Sequence, residues 1–462
     1  MKRSSLTHST WLTAFVALGV TACAGTLVSD TPEVSLDAAP AVAETLADSE
    51  IDETKVELLD KTSAAFTEAG ITELEARMSQ FVTDGELYGI ATRLVQDGAV
   101  VSDHRFGIRT LETQKPIEED TIYRIYSMTK PVTGVALMML WEEGAFALDD
   151  PITKFIPEFE DLEVLGGVAE DGSAITVPLE RMPTMQELMS HTAGFAYGLA
   201  GDDAANAAFR DGAVLESPDL PTFINKVADI PLLFQPGEQW YYSAAVDIQG
   251  HIIEQLTGQT LGAFFDERIF DPLGMVDTGF YVPEADYDRL SEVYGYSPDY
   301  QAWVPIPTPD VAYTKDTIAM ESGGGGLVST MDDYTRFAAM LVNGGELDGT
   351  RLLKEETVAL MTTNVLPEGL GVFSDGSTSA GEANGLGFGL DFGIIVDPEA
   401  ASMTAPKGTY FWGGAAGTWF WIDPQNDLFF IGMVQYFAWT NPEQETDLRG
   451  ISSDLVYKAL EN

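Results

Sequence analysis

Segments with strand character stand at both ends of this 462-residue chain, with helical patterns between them, and that layout restricts the folds open to it. Near the start, Ile90 to Gln96 and Ala99 to Gly107 flank Asp97-Gly98, which marks a hairpin between two apolar, β-branched runs. Near the end come Tyr410 to Gly413, Thr418 to Asp423 and Leu428 to Gln435, the last two parted by the turn residues Pro424-Gln425-Asn426-Asp427. The expected architecture is α/β (α+β), with one antiparallel sheet assembled from the two termini, flanked by helices, and a helical insertion. Residues 71–150 and 311–462 are expected to form the sheet domain, and residues 151–310 the helical domain. Thr72-x-x-Glu75 reads as a capping box that starts a helix carrying Leu74, Met78, Phe81 and Val82 on one face. Further helices are expected from about Asp332 to Val342 and from Asp447 to Leu460.

The first residues read as an export signal. Lys2 and Arg3 precede an apolar run, Trp11 to Val20, that falls short of the about 20 residues a permanent membrane span needs. Residues 1–22 are therefore expected to be a signal peptide. Val20-Thr21-Ala22-Cys23 places small residues before the only cysteine of the chain and resembles a bacterial lipobox. The resemblance implies lipidation of Cys23 and an exported protein anchored in a bacterial membrane, facing the periplasm. The plainer alternative is an ordinary signal peptide with an incidental cysteine. Residues 23–70 are rich in Ala, Thr, Glu and Asp and read as an acidic disordered linker.

Acidic residues number 73 against 24 lysines and arginines, a formal charge of −49. Such a surface repels phosphate backbones, so nucleic acid is not an expected partner. The charge fits solubility in a salty habitat, where self-repulsion is screened within about 8 Å or less. No Gly-x-Ser-x-Gly elbow, His-Glu-x-x-His, Walker or dinucleotide fingerprint occurs, so no metal and no cofactor is expected.

Chemistry concentrates in Tyr123-Arg124-Ile125-Tyr126-Ser127-Met128-Thr129-Lys130-Pro131, followed by an apolar run to Trp141. A lysine three residues after a serine lies one helical turn along, on the same face. A helix N-terminus favours an alkoxide or oxyanion, and Pro131 fits the first turn. A buried lysine gives up its proton more easily and then serves as a base. Ser-x-x-Lys alone is two fixed residues, and most such pairs are a capped helix with an exposed lysine.

The flanks carry more. Tyr-Arg-Ile-Tyr before the pair and Pro-Val-Thr-Gly after it resemble the serine β-lactamase and penicillin-binding protein superfamily. They look most like class C β-lactamases and the related family VIII carboxylesterases. Leu188-Met189-Ser190-His191-Thr192-Ala193-Gly194, Pro236-Gly237 to Tyr242-Ser243, Asp271-Pro272-Leu273-Gly274 and Ser322 to Thr330 extend the likeness. It implies a β-lactamase/DD-peptidase-like fold with Ser127, Lys130 and Tyr242 as catalytic residues and His191 as a structural one. Tyr241 is the competing tyrosine. Trp412-Gly413-Gly414-Ala415 matches the esterase branch, where β-lactamases carry Lys-Thr-Gly. The resemblance makes Trp412, Gly413 and Gly414 substrate-binding and gives the oxyanion hole to the amides of Ser127 and Ala415.

Two departures point to esters. Ala244 stands where β-lactamases carry asparagine, and Trp412 replaces the lysine that reads a carboxylate; Lys407 is nearby but out of order. A site without those polar partners suits uncharged acyl esters. The expected function is a serine hydrolase that cleaves small carboxylic esters through an acyl-enzyme on Ser127. The alternatives are a β-lactamase or DD-peptidase-type amide hydrolase, and a non-catalytic cell-envelope binding protein.

Overall fold

The computed structural model describes residues 65–169, 174–199, 201–306, 320–372, 384–441 and 446–460. The expected signal peptide, Cys23 and nearly all of the expected linker lie outside the described residues.

The main sheet among the described residues has seven antiparallel strands. In chain order these are β1 (Gly89–Gln96), β2 (Ala99–Gly107), β3 (Leu386–Phe388), β4 (Gly393–Ile395), β5 (Tyr410–Gly413), β6 (Trp419–Asp423) and β7 (Leu428–Met433). Their spatial order is β3-β4-β5-β6-β7-β1-β2, so the N-terminal hairpin joins the C-terminal strands through β1 and β7. Asp97 and Gly98 both take positive φ, the backbone a two-residue hairpin turn demands. The register runs from Ala91 opposite Met433 to Gln96 opposite Leu428.

Helices cover both faces, which explains why the central strands read as continuous apolar runs. On β6, Phe420 and Ile422 enter one core while Trp419 and Trp421 enter the other. On β7, Phe429 and Ile431 alternate in the same way with Leu428 and Phe430. Each such phenylalanine, fully buried, contributes about 1.5–3 kcal/mol. The helices that matter here are α1 (Glu68–Thr83), α2 (Thr129–Glu142), α3 (Ala245–Thr257), α4 (Met331–Val342), α5 (Glu355–Met361) and α6 (Leu448–Ala459). The first and last, α1 and α6, pack together on one face.

Helix α1 starts earlier than its sequence suggests. Thr67, not Thr72, is the N-cap and accepts from the Gly70 amide, while the Thr72 hydroxyl donates back to the Glu68 carbonyl. Glu75 is drawn off by Ser102 Oγ at 2.7 Å. Pairing outside the helix decides the start: Phe66 bridges Leu460, and the Thr67 amide donates to the Ala459 carbonyl at 2.9 Å. Order thus reaches back into the stretch expected to be linker.

The middle of the chain is helical with two strand additions. Glu163–Val168 pairs with Ala174–Pro178, and Tyr294–Ser297 pairs with Ala302–Pro305. The second pair also takes Tyr436–Phe437 as a parallel neighbour, just beyond β7.

Candidate active site

The Ser127 side chain is held between two backbone anchors. Before it, Tyr123 and Arg124 pair with Ser329 and Val328, tying the segment to the glycine run from Ser322. Ser127 itself lies in the short turn Tyr126–Met128, which leads straight into α2. Tyr126 carries a φ of +43°, a conformation few non-glycine residues hold, immediately before the serine. Helix α2 is buried almost all round, so Lys130 sits on a rigid element directly after the turn that carries Ser127.

Lys130 is buried, and its ammonium is fully used. Nζ donates to Ser127 Oγ at 3.3 Å, to the Tyr197 hydroxyl at 3.2 Å and to the Gly324 carbonyl at 2.6 Å. An ammonium has three N–H groups, and here each has an acceptor. The Tyr242 ring centroid lies 4.6 Å from Nζ. Asp247, buried on α3, accepts from Ser322 Oγ and, at 3.1 Å, from the Gly324 amide. Burial by itself pulls the Lys130 pKa down, but Tyr197, Tyr242 and Asp247 outweigh it and hold it above the ordinary lysine range. Lys130 is therefore an ammonium at rest. This reverses the expectation that burial frees the lysine of its proton. Burial pushes the Tyr197 pKa up, against the pull of Lys130.

His191 sits behind these groups, not among them. Its Nδ1 accepts from the Ser243 amide at 3.2 Å and lies 2.9 Å from Ser243 Oγ. Burial first, and then Lys130, hold its pKa well below the usual range, so the ring is neutral. The ring packs on Trp240, Tyr242 and Phe388, which fixes the direction of Tyr242. Tyr241 points elsewhere, accepting from Asn206 Nδ2 at 2.7 Å.

Trp412 and Gly413 end β5, and residues 414–417 form the turn to β6. The Gly414 amide donates to the Thr418 carbonyl at 2.7 Å, and the Gly417 amide to the Gly414 carbonyl at 2.9 Å. A Cβ on Gly414 would collide with the Ile125 carbonyl and the Thr418 hydroxyl, so only glycine lets the turn approach the serine segment this closely. Ala415, at the exposed tip, donates to no backbone carbonyl among the described residues. Trp412 packs on Tyr242 and Phe388 at 5.5 and 5.3 Å between centroids. Lys407 is remote from this turn and lines a cavity of about 520 Å³ with Tyr410, Ile394 and α5.

The structure brings Ser127, Lys130, Tyr242 and Trp412 into one cluster and seats the turn of Gly413, Gly414 and Ala415 against the serine segment. It adds three partners that sequence reasoning missed: Tyr197, Asp247 and the Gly324 carbonyl. Asp247 had a legible signal, the only acid in the mostly apolar stretch Ala245 to Ile253. Such an acid needs a buried partner. Among the described residues, no group of His, Cys, Asp or Glu is arranged to hold a metal ion.

Comparison with known proteins places this geometry in a family. The sequence model of a family described as Beta-lactamase matches residues 74–452. Esterase EstB of Burkholderia gladioli is 31% identical over 381 residues, covering 78% of this chain and 90% of that protein. Protein Rv1367c of Mycobacterium tuberculosis is 34% identical over 365 residues, covering 78% of this chain and 89% of its own length. Among solved structures, EstCE1, described as a hydrolase with promiscuous acyltransferase activity, superposes with a TM-score of 0.68 at 25% identity, covering 84% of this chain and 99% of its own.

Proposed function

Because the chain belongs to the beta-lactamase family and is a serine hydrolase, we propose that Ser127 is its nucleophile, in a two-step cleavage of small carboxylic esters. The observation that carries this reading is the Lys130 ammonium, 3.3 Å from Ser127 Oγ and enclosed by acceptors. Ser127 Oγ attacks the ester carbonyl. The ammonium holds Oγ in place and offsets negative charge as it develops there. Tyr242, against the same ammonium, relays a proton: its oxygen takes the serine proton as its own phenol proton passes to the leaving alcohol oxygen. The amides of Ser127 and Ala415 receive the oxyanion; losing one such donor costs on the order of a hundred- to a thousandfold in rate. Water then attacks the acyl carbonyl, and its proton passes through the same tyrosine to Ser127 Oγ, which leaves as the acid is released. Trp412 with Gly413 and Gly414 forms the apolar floor for the ester. Asp247 supports the charge on Lys130 through the Gly324 loop.

The test uses a nitrophenyl butyrate, with product release and intact mass followed together. Turnover with an acyl adduct is expected in the wild type, and both are absent from Ser127→Ala. Undiminished turnover in Ser127→Ala would exclude Ser127 as the nucleophile. An amide-hydrolase role has less support, since Ala244 has no side-chain amide to meet an acyl amide and Trp412 brings no positive charge to a carboxylate.

We also propose export through residues 1–22 and lipidation at Cys23, which would hold the enzyme at a bacterial membrane, facing the periplasm. No helix of the described residues is long and apolar enough to cross a membrane. Metabolic labelling with an alkyne fatty acid checks this: label should enter the wild type and not Cys23→Ser.

A further inference from the structure

Beside the proposed nucleophile runs a row of aromatic rings to which no step above gives a task. Tyr126 directly precedes Ser127, and its ring lies 5.8 Å from that of Phe437. Phe437 lies 4.4 Å from Trp439. The row is tied to the oxyanion turn independently of Tyr126: the Tyr436 amide donates to the Ala416 carbonyl at 3.0 Å. It is held rigid by parallel pairing of Tyr436–Phe437 with Tyr294–Gly295 and by Thr440 Oγ1 accepting from the Tyr296 amide at 2.7 Å. Yet Trp439 is 60% exposed. A large apolar side chain held in water on a braced scaffold, one ring away from the residue before the proposed nucleophile, is where an apolar ligand group would find contact.

We infer that Tyr126, Phe437 and Trp439 form the subsite for the acyl group, selecting esters of arylacetic or similarly bulky apolar acids. This rests on the reading of Ser127 as nucleophile and Tyr242 as proton carrier. The carbonyl oxygen points between the Ser127 and Ala415 amides. The leaving oxygen must face Tyr242, which hands it a proton, so the alcohol lies toward Tyr242 and Trp412. The remaining substituent on the reacting carbon is the acyl chain, and the inference directs it toward the aromatic row. A flat aromatic row there gains offset or edge contacts with an aryl group and little with a methyl.

Three esters separate the parts: nitrophenyl acetate, nitrophenyl phenylacetate with the same leaving group, and naphthyl acetate with the same acyl group. In Trp439→Ala, kcat/KM for the phenylacetate is expected to fall on the order of tenfold, with both acetates held within about twofold. Phe437→Leu should repeat the pattern. An unchanged phenylacetate rate, an equal loss on all three esters, or a loss that follows the naphthyl alcohol overturns the inference. Those outcomes leave Ser127 as nucleophile standing, whereas full activity in Ser127→Ala removes that reading and this one together.

Discussion

The Tyr197 hydroxyl accepts a hydrogen bond from Lys130 Nζ at 3.2 Å, across 67 residues of sequence. Its ring meanwhile packs edge-on against Tyr242 and Phe209. Tyr197→Phe keeps that packing and removes one of the three acceptors of the ammonium. A buried N–H left unpaired costs about 1–3 kcal/mol. We expect a folded variant with a lower Tm and kcat/KM reduced on the order of tenfold. Its pH–rate profile should also shift, because the lysine loses one of the groups that hold its proton. A profile superimposable on the wild type would show that Tyr197 is packing alone.

Gly414→Ala addresses the close approach of the proposed oxyanion turn to the serine segment. The added Cβ meets the Ile125 carbonyl and the Thr418 hydroxyl, and the turn has to move away from Ser127. A displaced Ala415 amide should cost on the order of a hundred- to a thousandfold in kcat. Because the turn is at the surface, the fold should survive, which circular dichroism checks.

Asp391 supplies a pH dependence of stability. It is buried between α2 and α3, with Oδ1 accepting from Gln249 Nε2 at 3.1 Å and Oδ2 without a partner among the described residues. Burial holds its carboxyl well above the usual aspartate range, against smaller opposing effects from Gln249 and Lys130. The folded chain therefore keeps a proton that the unfolded chain releases above about pH 4. With more protons bound in the folded state, this site loses stability as pH rises from there. Asp391→Asn keeps the bond to Gln249 and the positive φ of 64°, which asparagine tolerates, and abolishes the titration. Denaturant midpoints at about pH 5 and pH 8 should show the variant gaining on the wild type as pH rises, by up to about 1.4 kcal/mol per pH unit. A constant difference between the two proteins would place the carboxyl at its ordinary pKa.

The formal charge of −49 predicts a response to salt. Self-repulsion among surface carboxylates is relieved as the Debye length falls from about 10 Å at 0.1 M to about 3 Å at 1 M. Tm should rise over that range, and a maximum near zero salt would contradict the saline-habitat reading.

Much of the fold was legible because local patterns force local outcomes. Asp97-Gly98 makes a hairpin turn wherever it flanks such strands, and Thr330 caps α4 through the Asp333 amide as short polar side chains do. Serine three residues before lysine, in the turn that opens α2, brings Ser127 Oγ within 3.3 Å of Lys130 Nζ. The alternation of apolar residues along β6 and β7 also follows from strand geometry once both faces are covered.

Other choices belonged to residues far apart in sequence. Thr67 and Thr72 were both able to open α1, and contact with Leu460 and Ala459 at the other end of the chain selected Thr67. The charge state of Lys130 was the larger choice. Spacing placed it beside Ser127, but Tyr197, Asp247 and Gly324 arrive from separate segments, the last across 194 residues. A pKa in a buried site is the balance of lost hydration against gained partners. The sequence by itself determined which residues would be neighbours along a helix or a strand. Only tertiary packing decided which acceptors closed around the ammonium, and with them where its proton rests.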